Sequence, residues 1–162
     1  MHIRIITTGG TFDKCYDEIR GELSFKETHL PAILEQGRST VPITVQVDQL
    51  MDSLDMQEAD RQRILALCHA APEGHIVIVH GTDTMQQTAQ VLGAAQPAKT
   101  IVLTGAMIPF TIGRSDTLFN LGFALAAVQL LPQGVYIAMN GRTFTWDNVR
   151  KNKEAGIFEA IS

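Results

Sequence analysis

Two stretches of the chain place hydroxyl and carboxylate groups directly after short apolar strands. The segment Ile78-Val-His-Gly-Thr-Asp-Thr84 runs into a turn that displays Thr82 and Asp83, and Thr8-Gly-Gly-Thr11 follows Ile3–Thr7 in the same way. In an open α/β sheet, ligands bind at the carboxyl ends of the strands, where the free N–H groups of the next helix favour an anion. We therefore expect a site where the two turns meet.

The residue types in and near these turns suit nucleophilic chemistry and recognition of a charged substrate. A threonine hydroxyl becomes a nucleophile when a base takes its proton, so Thr11 would need a lysine, a tyrosine or a carboxylate nearby. Thr82 and Asp83 could hold a substrate ammonium group while backbone N–H groups take its carboxylate. The tail offers Lys151 and Lys153, either of which could act as a base once it is drawn into the cleft and partly desolvated.

Each of these residues also has a structural interpretation. The Gly-Gly-Thr turn could simply end a strand, Asp83 could be a helix N-cap, and the two lysines could belong to a solvated surface. Tyr16 lies five residues beyond Thr11, and it could deliver its hydroxyl to Thr11 when a loop closes or could pack on the core. His80 is expected to be a satisfied core residue, because no metal-ligand spacing surrounds it.

The composition limits the class of protein. The chain has 162 residues, 45% of them hydrophobic and 19% charged, which fits one globular domain with a sizeable core. A net charge of −4 gives no reason to expect nucleic acid or an anionic membrane as a partner. Two cysteines make no disulfide framework, and neither a signal peptide nor a membrane span is expected, so the protein is predicted to be cytoplasmic.

Strand signals alternate with segments of helical spacing, which indicates an α/β fold with a mostly parallel sheet. The predicted strands are Ile3–Thr7, Val41–Val47, His75–His80, Thr100–Thr104 and Val135–Asn140. Helices are predicted at Thr28–Gln36, from a Ser53 cap to just before Pro72, from about Thr84 to Pro97, and from Asp116, capped by Ser115, to about Leu131.

Two segments carry further expectations. Residues Phe12–Lys26 are polar and irregular, and we expect a mobile loop over the edge where Thr11 lies. The last helix is almost wholly apolar over Leu121–Val128, which implies burial against the sheet or against a second subunit.

Four motifs together resemble the bacterial-type L-asparaginase/glutaminase family. They are Thr8-Gly-Gly-Thr11, His80-Gly-Thr-Asp-Thr84, Thr104-Gly-Ala-Met107 and Phe119-Asn-Leu121, in the order and with roughly the spacing of that family. The resemblance covers nearly the whole chain and matches the family's N-terminal domain, so it implies a three-layer, flavodoxin-like sandwich. It also implies hydrolysis of L-asparagine to L-aspartate and ammonia without a metal or an organic cofactor.

The resemblance implies a role for individual residues. Thr11 matches the nucleophile that forms an acyl-enzyme, and Thr82 matches the threonine that handles the water or the proton. Asp83 matches the carboxylate that binds the α-ammonium group and pairs with a lysine, for which Lys151 fits better than Lys153. Tyr16 corresponds to a loop tyrosine that lies farther from the first threonine in the family. Expected substrate-binding residues are Asp52, Ser53, Gly81, Thr82 and Asp83, with Ser53 on the α-carboxylate.

The chain differs from full-size members in length, because the resemblance leaves no room for their C-terminal domain. We therefore expect one domain, residues 1–162, that completes its cleft with its own tail or with another copy, as a dimer or a higher homo-oligomer. Two other functions stay open: a non-catalytic amino-acid-binding or regulatory module, and an amidase acting on glutamine or another amide.

Overall fold

The computed structural model describes residues 1–162, and ten strands and four α-helices account for most of them. In chain order the strands are β1 Ile3–Gly9, β2 Cys15–Asp17, β3 Glu22–Ser24, β4 Ile43–Met51, β5 His75–Val79, β6 Thr100–Thr104, β7 Gly134–Met139, β8 Arg142–Thr145, β9 Arg150–Asn152 and β10 Ile157–Glu159. The helices are α1 Leu30–Gln36, α2 Glu58–Ala70, α3 Met85–Ala94 and α4 Thr117–Leu130.

Six strands form the central sheet in the order β4-β1-β5-β6-β7-β8, and only β8 is antiparallel to its neighbour. Counted in chain order within this sheet, the five parallel strands run 2-1-3-4-5, which is the flavodoxin-like order. The predicted α/β class and sheet type are confirmed. The order reverses between β1 and β5, and in such sheets the crevice at that reversal is where ligands bind.

Helices cover both faces of the sheet, which makes three layers. Ile76 and Ile78 of β5 join one core with α2 and α3, whereas Val77 and Val79 of the same strand join a second core with α1 and α4. Because consecutive side chains of a strand point to opposite faces, a strand buried on both sides is apolar throughout. This explains the continuous Ile/Val run that precedes the Thr82 turn.

Helix α4 packs one side on the sheet through Leu121, Ala124 and Val128. The first of the two alternatives for its apolar sequence, burial against the sheet, is therefore confirmed. The opposite side still exposes Phe119 to 62% and Leu130 to 83%.

Two predicted helix caps are wrong or displaced. Ser53 lies in a separate 3-10 turn, Ser53–Asp55, and α2 is instead capped by Gln57, whose backbone N–H donates to Asp60 Oδ2 at 2.8 Å. The three residues of this 3-10 turn, followed by Met56 and Gln57, thus separate β4 and Asp52 from the helix. Ser115 lies one residue before the N-cap of α4, although its Oγ accepts the Thr117 N–H at 3.1 Å.

Residues 12–26, expected to form a mobile loop, contain regular structure. A short 3-10 turn, Thr11–Asp13, is followed by the antiparallel hairpin of β2 and β3. Asp17 closes the hairpin end by accepting the N–H groups of Ile19 and Arg20, and Gly21 supplies a φ of +70°. Local side-chain acceptors of this kind stabilise turns that hydrophobic periodicity does not reveal.

The tail after β7 is also structured. Asn140 and Gly141 both have positive φ and form the two-residue turn of a β7–β8 hairpin, and β9 and β10 form a further hairpin. The longest helix, α4, has 14 residues, and no helix has the length and apolar character needed to cross a membrane.

Candidate active site

The turns after β1 and β5 touch each other. A Cβ built on Gly10 would lie 2.5 Å from the backbone N and Cα of Gly81, so the two backbones are in contact. Gly10 also has a φ of +69°, a region that residues with a side chain rarely adopt. Glycine is therefore required on both counts, and the expected meeting of the two turns is observed.

The turn after β4 packs against the same point. A Cβ on Gly81 would lie 2.6 Å from both Cβ and Oγ of Ser53, and the Gly10 N–H donates to the carbonyl of Met51 at 2.9 Å. Ser53 accepts the Thr84 N–H on its Oγ at 3.3 Å, while its carbonyl accepts the Thr84 hydroxyl at 2.8 Å. Three strand-ending turns thus form one assembly at the carboxyl edge of the sheet.

Lys151 connects this assembly to the tail. Its Nζ donates to Thr82 Oγ1 at 2.7 Å and to Asp83 Oδ1 at 2.8 Å, and its side chain is only 11% exposed. Thr82 itself is 6% exposed. The lysine end of the ion pair is thus largely shielded from water. Charge-assisted hydrogen bonds are strongest in such a low-dielectric environment.

The β9–β10 hairpin orients Lys151. Lys151 lies opposite Phe158, which is buried in the core shared with α2 and α3, and Arg150 pairs across the hairpin with Glu159 at 2.8 Å. Lys153 lies beyond the end of β9, is exposed and makes no side-chain hydrogen bond or ion pair. Lys151 is therefore the tail lysine that contacts Thr82 and Asp83.

Two of the sequence-predicted residues make no polar contact with this group. The Thr11 hydroxyl is partly buried and has no hydrogen-bond partner. Tyr16, on β2, is 58% exposed, lies opposite Leu23 and also leaves its hydroxyl unbonded. The structure thus joins Thr82, Asp83 and Lys151 directly and leaves the Thr11 and Tyr16 hydroxyls free.

Asp52, the residue before Ser53, is held by the segment that follows Thr11. Its Oδ2 accepts from Lys14 Nζ at 2.5 Å and its Oδ1 accepts the Leu54 N–H at 3.0 Å. The Lys14 hydrogen bond, together with the smaller effect of the Leu54 N–H, keeps the pKa of the Asp52 carboxyl below its ordinary value. No sequence pattern indicates this pairing, because 38 residues separate the partners.

His80 is a fully buried residue with both ring nitrogens bonded. Nδ1 lies 2.7 Å from the Gly81 carbonyl and Nε2 lies 2.8 Å from the Thr88 hydroxyl. A carbonyl can only accept, so Nδ1 carries the proton and Nε2 accepts from Thr88. Burial lowers the pKa of His80 to about 4, which keeps the ring neutral and fixed beneath the Gly81 peptide.

Sequence reasoning missed several polar residues that fix the site's loops. Asp13 is fully buried and accepts from the Thr7 hydroxyl, the Thr28 hydroxyl and the His29 N–H. Asn120, in the Phe119-Asn-Leu121 motif, donates to the Gly105 carbonyl at 2.9 Å. That bond gives a structural reason for two of the four motifs to occur together.

Comparison with known proteins agrees with this architecture. The model of the asparaginase N-terminal domain matches residues 2–160. L-asparaginase 1 of Escherichia coli K12 is 31% identical over 172 aligned residues, which cover 99% of this chain and 50% of that protein. The glutaminase-asparaginase of Pseudomonas fluorescens biotype A is 26% identical and is covered to 45%. The chain thus spans about half the length of these relatives.

Solved structures give the same result. The thermostable L-asparaginase of Thermococcus kodakarensis superposes with a TM-score of 0.87 at 28% identity, over 99% of this chain and 51% of that one. L-asparaginase I of Vibrio cholerae superposes with a TM-score of 0.85 at 28% identity, over 98% and 51%. This chain belongs to the asparaginase family and has the fold of its N-terminal domain.

Proposed function

We propose that the protein is an amidohydrolase that converts L-asparagine to L-aspartate and ammonia, with Thr11 as the nucleophile. The observation that carries the proposal is the contact of a largely buried Lys151 with Thr82 and Asp83. Membership of the asparaginase family supports the reaction class. Gly81 and the Asp52–Ser53 turn complete the expected substrate-binding surface.

The proposed reaction proceeds in two steps. In the first, Thr11 Oγ attacks the side-chain amide carbon, the C–N bond breaks, and the Thr11 proton leaves with the departing ammonia. In the second, water attacks the resulting ester, which releases aspartate and returns a proton to Thr11. Thr82 and Lys151 would relay these protons, and Asp83 would hold both the lysine and the substrate's ammonium group.

Rapid-quench measurement of ammonia from L-asparagine tests the proposal. Thr11→Val should abolish the early build-up of the aspartyl-enzyme ester and lower kcat by at least about 1,000-fold, since the nucleophile is lost. Lys151→Met should lower kcat by about 100-fold or more, because general acid–base groups contribute on that scale. Trapping of an aspartyl ester at Thr11 by acid quench would identify the intermediate.

Lys153→Met provides the matched control, because it removes the same charge two residues away from an exposed position. Its rate should stay within about 2-fold of the original. An unchanged rate in Thr11→Val would refute the nucleophile, and equal losses in the two lysine variants would refute the role of Lys151.

A second candidate function is a non-catalytic amino-acid-binding module. The specific observation in its favour is that neither Thr11 nor Tyr16 bonds to a base, so the nucleophile has no activating partner. This alternative predicts that asparagine or aspartate raises the melting temperature progressively as its concentration exceeds Kd, while no ammonia forms. Turnover of either asparagine or glutamine would exclude it.

We further propose that copies of the chain associate into a homo-oligomer. The exposed apolar side chains Phe119 and Leu130 of α4 support this. Sedimentation equilibrium should give a mass above 17.8 kDa, and Phe119→Glu should lower it. A monomer in both proteins would contradict the proposal.

A further inference from the structure

Lys14 is a second ammonium group at the edge of the candidate site, and no function has so far been assigned to it. It follows the 3-10 turn of Thr11, and its N–H donates to the Thr11 carbonyl at 3.3 Å. Its Nζ reaches Asp52, the residue before Ser53. The Lys14–Asp52 pair therefore bridges the turn of the proposed nucleophile and the turn that packs on Gly81.

The Lys14 ammonium has hydrogen-bonding capacity left over. An ammonium group has three donors, and the protein uses one of them, on Asp52. Lys151, by contrast, donates two hydrogen bonds, to Thr82 and to Asp83. The Lys14 side chain is 19% exposed and that of Asp52 is 31% exposed, so a small ligand can reach the pair from solvent.

The Asp52–Ser53 turn would repel an anion without Lys14. Asp52 is a carboxylate that is ionised at neutral pH even at the ordinary pKa of an aspartate, and Leu54 presents an apolar side chain that is 64% exposed. Ser53 Oγ accepts the Thr84 N–H, and its own proton is given to no protein acceptor. One hydroxyl donor beside one negative charge is a poor receptor for a carboxylate, because like charges in partly buried sites repel strongly.

We propose that Lys14 is a specificity-determining residue that lets the α-carboxylate of an amino-acid substrate bind beside the Asp52–Ser53 turn. The lysine neutralises Asp52 and directs its unused donors to the substrate, next to the Ser53 hydroxyl. This inference rests on the proposed function for the identity of the substrate, and it adds a residue that the expected binding set lacks. Substrates without the negative charge gain nothing from Lys14.

The test compares L-asparagine with its methyl ester, which keeps the amide and the ammonium group but lacks the carboxylate charge. Lys14→Met should raise KM for asparagine by about 10- to 100-fold and leave KM for the ester within about 3-fold, since only the charged hydrogen bond is lost. The kcat for both should change by less than about 3-fold. Lys14→Arg should recover most of the preference for asparagine, because it keeps the charge.

Lys26→Met is the matched control, since Lys26 is an exposed lysine on the same segment without an ion pair. Neither substrate should respond to that change. If Lys14 only stabilised the position of the β2–β3 hairpin, Lys14→Met would raise KM equally for asparagine and for the ester. That result would overturn the proposal.

Calorimetry in a Thr11→Ala background separates this inference from the proposed activity. Binding of asparagine should weaken on adding Lys14→Met, and binding of the ester should not, whether or not the protein turns over. Absence of ammonia release from the protein with Thr11 intact, together with this binding pattern, would refute the amidohydrolase and keep the role of Lys14. Ammonia release with equal weakening for both ligands would refute Lys14 and keep the amidohydrolase. Should Lys14→Met fail to fold, Lys14→Gln, which keeps a donor without charge, should show the same selective loss.

Discussion

The three packed turns and the β2–β3 hairpin are adjacent in the molecule but are held in opposite ways. In the turns, Gly10, Gly81 and Ser53 approach so closely that no added methyl group would fit. The hairpin exposes Ile19 to 91% and Tyr16 to 58% of their surfaces. The turns are fixed by close backbone contact, whereas the hairpin depends on a few polar contacts of the residues just before it.

The difference suggests that the turns and the hairpin have separate roles at the site. Segments with few buried apolar contacts open at low free-energy cost, and binding loops are drawn from such segments. The proposed nucleophile, Thr11, lies at the junction between the two regions, with Gly10 on one side and Lys14 on the other. Thr82 and Asp83 belong wholly to the packed region. The contrast predicts that changes at the packed glycines of the turns mainly affect folding, whereas changes on the hairpin mainly affect ligand binding and rate.

The largest effect is expected for Gly10→Ala. The new methyl group would meet the Gly81 backbone at 2.5 Å while φ stays at +69°, so the turns must separate. We expect a loss of at least about 4 kcal/mol in the free energy of unfolding, measured in urea, because backbone cannot yield as a side chain can.

Gly122→Ala is the control for this prediction. Gly122 lies in α4 with nothing within 4 Å of its added methyl group, so the change should stabilise the protein by about 0.5–1 kcal/mol. A cost for Gly10→Ala no larger than 1 kcal/mol would mean that the two turns are not held together by backbone contact.

The second effect concerns His80, which lies under the packed turns. The unfolded chain takes up a proton near pH 6.5, whereas the folded protein does so only near pH 4. The stability due to a neutral His80 is therefore complete above pH 6.5 and is lost as the pH falls to about 4. Unfolding in urea should show a fall of about 3 kcal/mol over this window from His80 alone.

His80→Gln isolates that contribution, because glutamine can still donate to the Gly81 carbonyl and does not titrate. The gap in stability between the original protein and His80→Gln should narrow as the pH falls from 7 to 4.5. His69→Gln, at an exposed position, should leave the pH profile as it was. A constant gap across this range would contradict a buried, neutral His80.

The contrast also explains which features could be predicted from the sequence. The strands of the parallel sheet are apolar on both faces, so their residues alone located β1, β5, β6 and β7 to within about two residues at each end. Gly-Gly-Thr11 and Thr82-Asp83 follow such strands, and the rule that parallel strands end at a common edge placed them near each other. Packed regions leave a periodic or glycine-rich pattern in the sequence.

The hairpin and the polar contacts that hold it leave no such pattern in the sequence. The β2–β3 strands have three residues each and lack a buried face, so no alternation was available. The bonds of Asp13 and Lys14 reach partners 15 and 38 residues away, and a sequence does not indicate which distant polar groups will meet. The Asn140-Gly141 turn did carry a recognisable hairpin signal, and with it β8 could have been found.

The third effect concerns Asp13, a buried residue that lies just before the hairpin. Asp13→Asn replaces one acceptor oxygen with a donor among Thr7, Thr28 and His29. We expect a loss of about 1–3 kcal/mol in the free energy of unfolding, the cost of leaving buried groups mispaired. Trypsin should also cut faster after the exposed Arg20. Asp17→Asn, which keeps the oxygen that accepts Ile19 and Arg20, should change neither measurement.

The smallest effect on stability is expected on the hairpin itself, where Tyr16 faces Leu23. Tyr16→Phe and Leu23→Ala should each change the free energy of unfolding by less than about 0.5 kcal/mol, because both positions are exposed. Ammonia release separates the two variants: a Tyr16 hydroxyl that reaches Thr11 when the hairpin closes would make Tyr16→Phe slow and leave Leu23→Ala near the original rate. Equal rates in both variants would remove Tyr16 from the mechanism, and a large loss of stability in either would show that the hairpin is as firmly packed as the turns beside it.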